Sequence, residues 1–247
     1  SVPSLLFIRL PKWYALMRFN EPEQILASLN DSSVRDALVA EAQGMMPLWN
    51  RLVLRQVVSE ANQCLVGKTL QEIAELRGSD ALNVMIDVSL EESLDAHFLS
   101  GDMGHNEDDL VAPLLEHPNV MVGASDGGAH ILSFATYGDT GYLLGHFVRD
   151  TAYLGLEAAV KKITADPASL WGLGNRGMLR EGFIADITVF DEAVVDRGVE
   201  YFVQDVPGDG YRYVRDAHGI HSVVIGGALA YDKVNGYHEA HRGQIIG

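Results

Sequence analysis

The stretch Val120-Met121-Val122-Gly123-Ala124-Ser125-Asp126-Gly127-Gly128-Ala129-His130 decides the reading of this chain. Its apolar first half has the texture of a buried strand, expected over residues 119–124, and its glycine-rich second half that of a turn. A carboxylate carried by a strand into an open turn is the layout of a catalytic residue at the C-terminal end of a barrel strand. Asp126 is therefore the candidate catalytic residue. The competing reading is an aspartate that caps its own turn, the commoner fate beside glycines. His130, four residues on, lines the same mouth and is the candidate substrate-binding residue.

The pentapeptide Gly123-Ala124-Ser125-Asp126-Gly127 also fits G-x-S-x-G, the strand-turn-helix elbow that exposes a nucleophilic serine. That elbow needs a helix to begin at the turn, and the residues that follow are glycine-rich with little helical periodicity. A serine hydrolase using Ser125 is accordingly the third reading of function.

Upstream of the motif, residues 106–116 read as a short acidic helix stopped by His117-Pro118, and residues 80–99 read as helical throughout. Thr69-Leu70-Gln71-Glu72 is a capping-box start for a helix ending near Gly78, and residues 51–58 read as a strand. That strand and helix make one βα unit, and the motif strand begins a second. Apolar spacing predicts two helices over residues 21–49, interrupted at Asn30-Asp31-Ser32-Ser33. Downstream, residues 142–154 and 156–171 read as helices, with a restart at Asp166-Pro167-Ala168. Beyond Gly172 the texture changes to short strands at 185–190, 211–214, 220–225 and 228–231. Gly226-Gly227 makes a hairpin turn between the last two. The expected organisation is α/β over residues 1–172 and a small β domain over 173–247.

Composition narrows function by exclusion. The 34 acidic against 18 basic residues give a formal charge of −16, a field that repels nucleic acid and anionic membrane surfaces. The single cysteine, Cys64, can form no internal disulfide and no cysteine-rich metal site, which fits a reducing, cytoplasmic setting. The N-terminal run is broken by Arg9 and reads as neither signal peptide nor membrane span. His218-x-x-His221 and the His238/His241 pair have the wrong spacing for H-x-H or H-E-x-x-H and read as incidental.

Several segments, taken in order, carry a resemblance. They are Ser125-Asp126-Gly127-Gly128-Ala129-His130, the run from Tyr142 to Arg149, the run from Leu156 to Ala168, and the run from Asn175 to Asp191. Together they resemble the C-terminal half of the metal-dependent amidohydrolase superfamily, nearest its N-acyl-D-amino-acid deacylase branch. The resemblance implies the C-terminal part of a (β/α)8 barrel with a small β-sandwich, and one or two divalent metals, usually zinc. It makes Asp126 the strand-eight aspartate, which touches the metal or its water and carries the proton from that water to the leaving amine. It gives Arg149 and Asp186 structural roles.

A βα unit takes roughly 30 residues, so the stretch before Asp126 holds at most about four of the seven units that precede a barrel's eighth strand. The family's histidine ligands belong to those earlier strands. The expectation is therefore the C-terminal portion of an amidohydrolase acting on a small N-acyl substrate, inactive alone, and self-associating or pairing with a missing N-terminal half. A non-catalytic remnant or assembly partner built on the same scaffold is the alternative.

Overall fold

The computed structural model describes residues 7, 9–19, 21–100, 107–123, 125–208, 210–239 and 243. The backbone packs as two compact units, residues 1–104 and 105–247.

The first unit runs α1 (Pro11–Met17), α2 (Pro22–Asn30), α3 (Ser32–Ala42), α4 (Met46–Trp49), β1 (Leu52–Gln56), α5 (Leu70–Arg77), α6 (Ala81–Glu91) and β2 (His97–Ser100). Proline opens α1 and α2, where its missing N–H would have had no helical partner. The expected break between α2 and α3 is made by Asp31, whose carboxylate accepts from Ser33 N at 2.8 Å and Val34 N at 3.3 Å. The capping box forms as read, with Glu72 N donating to Thr69 Oγ1 at 3.2 Å and Thr69 N to Glu72 Oε2 at 2.7 Å. Gly78 ends α5 at φ +63°, a conformation glycine adopts without Cβ strain. Apolar faces of these helices meet in a core where Phe7 stacks on Trp13 at 4.2 Å and on Trp49 at 5.0 Å. Each indole N–H still finds a carbonyl at 2.9 Å, Leu38 O for Trp13 and Ala42 O for Trp49.

One expectation for this unit is corrected. Residues 80–99 are not one helix, because α6 ends at Glu91 and Ser93 and Leu94 take positive φ of 52° and 73°. The chain then reverses into β2, which lies antiparallel to β1 with Leu52 opposite Ser100 and Leu54 opposite Phe98. The strand and helix read at 51–58 and 69–78 form as β1 and α5, and the described partner of β1 is the antiparallel β2.

A buried carboxylate fastens that reversal. Glu92, 4% exposed, accepts from Val58 N at 2.7 Å, Ser59 N at 2.8 Å, Asn62 Nδ2 at 2.6 Å and the Ser59 hydroxyl. Burial pushes its pKa up, but the bonds from Ser59, Asn62 and Val58 outweigh burial and hold it at about 2.

The second unit begins with α7 (Asp108–Glu116), stopped at His117 in extended conformation before Pro118. It continues with α8 (Asp139–Tyr142), a π-helix over Leu143–Asp150, α9 (Leu156–Ile163) and α10 (Ala165–Leu170). The expected change of texture after Gly172 falls within this unit. Its strands are β3 (Ile187–Phe190), β4 (Asp196–Arg197), β5 (Tyr201–Val206), β6 (Gly210–Val214), β7 (Ala217–His218), β8 (Ile220–Ile225), β9 (Ala228–Asp232) and β10 (Gly236–Tyr237). They form one sheet in the order β10-β9-β8-β3 and the pairs β4-β7 and β5-β6, all antiparallel. Gly226 and Gly227 turn the β8-β9 hairpin with φ of 56° and 81°, the two positive values a type I′ turn requires.

The strand expected at 119–124 is not formed among the described residues. Val120 N donates to His117 O at 3.1 Å and Val120 O accepts from Lys162 Nζ at 2.8 Å, so both ladder groups of Val120 are already engaged. No described strand runs beside it. Lys162, only 7% exposed, also donates to His117 O at 3.0 Å and so pins the segment that leads to the motif.

The π-helix is a second departure from the sequence expectation. Its wide turn is marked by Thr151 N donating to His146 O five residues back at 3.0 Å. It and α8 pack on β4 so closely that a Cβ at Gly141 of α8 would lie 2.9 Å from Arg197 N and one at Gly145 of the π-helix 2.7 Å from the Asp196 carboxylate. Among the described residues no helix is long and apolar enough to cross a membrane.

Candidate functional site

The site is a turn held by its backbone. Ala129 N donates to Asp126 O at 2.8 Å, closing a four-residue turn whose third residue, Gly128, sits at φ +95°. A type II turn needs positive φ at that position, which is why glycine occupies it. Thr136 Oγ1 lies 2.6 Å from Asp126 O and 2.9 Å from Ala129 O, sharing its one proton across the two ends of the turn. The Asp126 main chain is thus fixed twice. Its side chain is exposed, and among the described residues the carboxylate has no hydrogen-bond partner. A turn-capping aspartate would spend its oxygens on neighbouring N–H groups. Asp126 does not.

Ser125 is engaged locally, its Oγ accepting from Gly127 N at 3.2 Å, and the next helix starts only at Asp139. The strand-turn-helix elbow that a nucleophilic serine needs is not formed. His130 takes φ +56°, uncommon for a residue with a side chain, and stacks its ring on Phe134 at 5.8 Å with 13° between planes. It is exposed, as a ligand-facing residue must be, but it is not brought onto the Asp126 carboxylate by any bond.

The two residues expected to be structural make structural bonds. Arg149 Nη1 donates to Val195 O at 2.6 Å and its Nη2 to Asp196 Oδ2 at 3.0 Å, fastening the π-helix to β4. Asp186 pairs with Arg176 and accepts from Gly226 N at 2.8 Å, fastening the loop before β3 to the β8-β9 turn. Sequence reasoning missed the surroundings of the π-helix. There His146 Nε2 meets Asp108 Oδ2 at 2.7 Å, its ring stacks on Tyr142 at 4.8 Å, and Arg197 lies over Tyr142 at 4.0 Å. A π-helix leaves no signal in apolar spacing, because one inserted residue looks the same as a drifting stripe.

Among the described residues no three His, Cys, Asp or Glu side chains converge as a metal site requires. His218 and His221 stay on different strands, His238 is bonded to Asp232, and His241 lies outside the described residues. Asp126 alone is not a donor set for a metal ion.

The model of the Amidohydrolase family matches residues 27–231. A D-aminoacylase of Alcaligenes xylosoxydans xylosoxydans is 31% identical over 184 residues, 74% of this chain and 34% of that protein. An N-acyl-D-glutamate deacylase of the same organism is 38% identical over 135 residues, 53% of this chain and 26% of that protein. A solved D-aminoacylase, described by its binuclear metal centre, is 27% identical with a TM-score of 0.45, over 79% of this chain and 37% of that one. The chain spans about a quarter to a third of the length of the curated relatives it matches.

Proposed function

Because the chain belongs to the amidohydrolase family, an α/β family of hydrolases, we propose that it carries the proton-transferring turn of an enzyme that cleaves the amide bond of an N-acyl-D-amino acid. The observation that supports this is the state of Asp126, with a backbone bonded at 2.8 and 2.6 Å and a carboxylate left exposed and unpartnered among the described residues. A positioned carboxylate of this kind takes a proton from the water that attacks the acyl carbonyl. It then delivers that proton to the nitrogen as the C–N bond breaks, releasing the carboxylic acid and the free amine. His130, exposed at the same turn, faces the substrate.

In this reading residues 1–172 belong to the C-terminal part of the barrel and residues 173–247 to the small β domain. A divalent metal such as zinc would need donors beyond those the described residues bring together, and Asp126 is the one residue here that would contribute to holding it. The 247-residue chain is inactive alone and acts when joined to the remaining barrel, in a reducing cytoplasm consistent with its free, exposed Cys64. The substrate class rests on the names of the relatives. The complete enzyme is expected to release free amino acid from N-acyl-D-amino acids, and the chain alone to release none. Turnover by the chain alone would overturn the division of labour, and no turnover of any N-acyl-D-amino acid by the complete enzyme would overturn the substrate class.

A non-catalytic assembly partner is the second reading. Its support is the exposure of the apolar residues Leu170, Trp171 and Leu179, at 67%, 72% and 85%, which a partner could cover. Light scattering that finds a stable monomer would count against it.

A further inference from the structure

We propose that the buried ion pair of Glu200 and Arg215 is the positioning device for Asp126, acting through Ala135 and Thr136. The inference rests on the reading of Asp126 given above and names residues that act on it without touching substrate. Glu200 and Arg215 are 7% and 12% exposed at their side chains and meet at 3.3 Å. Both hold the same residue. Glu200 Oε2 accepts from Ala135 N at 2.9 Å, and Arg215 Nη2 donates to Ala135 O at 3.1 Å. Ala135 is itself buried, and the grip is extended on either side by Tyr213 N donating to Ile131 O at 2.8 Å and Arg215 N to the Tyr137 hydroxyl at 3.0 Å. The next residue along, Thr136, is the one whose hydroxyl reaches the Asp126 carbonyl at 2.6 Å.

Burying two charges costs free energy that their mutual attraction only partly returns. Here the pair does more than meet itself, since it fixes both main-chain groups of one loop residue in a segment that has no helix or strand to fix them. The consequence is a rigid support for a turn whose working group is left free. A misplacement of about 1 Å at a reacting group can cost about a hundredfold in rate, so such a support bears on turnover and not on substrate affinity.

The test uses three variants in the complete enzyme, together with hydrogen exchange over residues 126–137 of the chain. Thr136→Val removes the hydroxyl and keeps the shape, Thr136→Ser restores the hydroxyl, and Glu200→Gln weakens the pair without emptying its space. Thr136→Val is expected to lower kcat about tenfold or more with KM within about twofold, and Thr136→Ser to recover kcat to within about threefold. Glu200→Gln is expected to lower kcat in the same way and to speed exchange at the Ala135 amide about tenfold or more. Wild-type kcat in both Thr136→Val and Glu200→Gln, or a rise in KM alone, would overturn the proposal. If Asp126→Asn in the same assay keeps wild-type kcat, the reading of Asp126 has failed. The Ala135 exchange rate in Glu200→Gln then decides alone, faster exchange upholding the support and unchanged exchange overturning it.

Discussion

In the first unit Trp49, Leu54 and Ile73 are fully buried and the buried carboxylate of Glu92 is met by four donors, whereas in the second unit the Asp126 carboxylate stands exposed with no described partner. Two carboxylates of similar chemistry are put to opposite uses. Glu92 stays ionised, its charge satisfied by four hydrogen bonds, and closes a fold; Asp126 has its backbone bonded in its place and its oxygens left without a described partner. The cores differ in the same sense. The described core of the first unit contains both stacked tryptophans, while that of the second is a smaller cluster around Leu143, Leu144, Phe147 and Val195. The second unit relies more on close backbone approach and on charged side chains gripping main chain, as at Lys162, Arg149 and Arg215.

The sharpest way to break this contrast is in the denser core. Trp49→Ala should cost the first unit about 3–5 kcal/mol, since it removes a fully buried ring and strands Ala42 O. Urea unfolding followed by hydrogen exchange would detect it as faster exchange across residues 32–91, with residues 126–137 unaffected. Gly145→Ala should cost the second unit about 1–3 kcal/mol, because the new methyl would lie 2.7 Å from an Asp196 carboxylate already tied to Arg149. Thermal unfolding of that variant checks it, and a wild-type midpoint would mean that the approach of π-helix to β4 is looser than described.

Glu92 gives the contrast a pH dependence. Its folded pKa of about 2 lies below the ordinary value of 4.5, so its stabilisation is fully present above about pH 4.5 and is lost as pH falls toward 2. Wild-type protein should therefore lose stability in the first unit through that window, and Glu92→Gln should be less stable at pH 7 but flatter below pH 4.5. Urea midpoints at pH 7, 4 and 3 measure this. The smallest effect is expected at Ser125, where Ser125→Ala should leave turnover within about twofold and the wild-type serine should not be labelled by a fluorophosphonate, given that its hydroxyl accepts from Gly127 N within the turn.

Local signals carried much of the fold. The Thr69–Glu72 capping box, the Gly78 stop, the Asp31 cap and the Gly226-Gly227 hairpin each rest on residues within four positions of one another, and each formed. The misreadings share a cause. Residues 92–100 continue an apolar rhythm, and nothing in the letters says that Ser93 and Leu94 adopt positive φ. Residues 119–124 have strand composition, but Lys162, some forty positions away, takes the carbonyl that a ladder would need. The candidate site divides in the same way. The turn and its aspartate were legible from Gly127-Gly128, while Thr136, Ala135, Glu200 and Arg215 join it only through the folded chain, and no spacing rule reaches from residue 126 to residue 215.

The central claim is that the free carboxylate of Asp126 is the group that moves the proton. The direct measurement is kcat for Asp126→Ala in the complete enzyme on an N-acyl-D-amino acid, with hydrogen exchange over residues 126–137 as the control for folding. A fall in kcat of about a thousandfold or more with exchange at Ala129 unchanged is the predicted result. Turnover near that of the wild type, with the variant folded, would contradict the account.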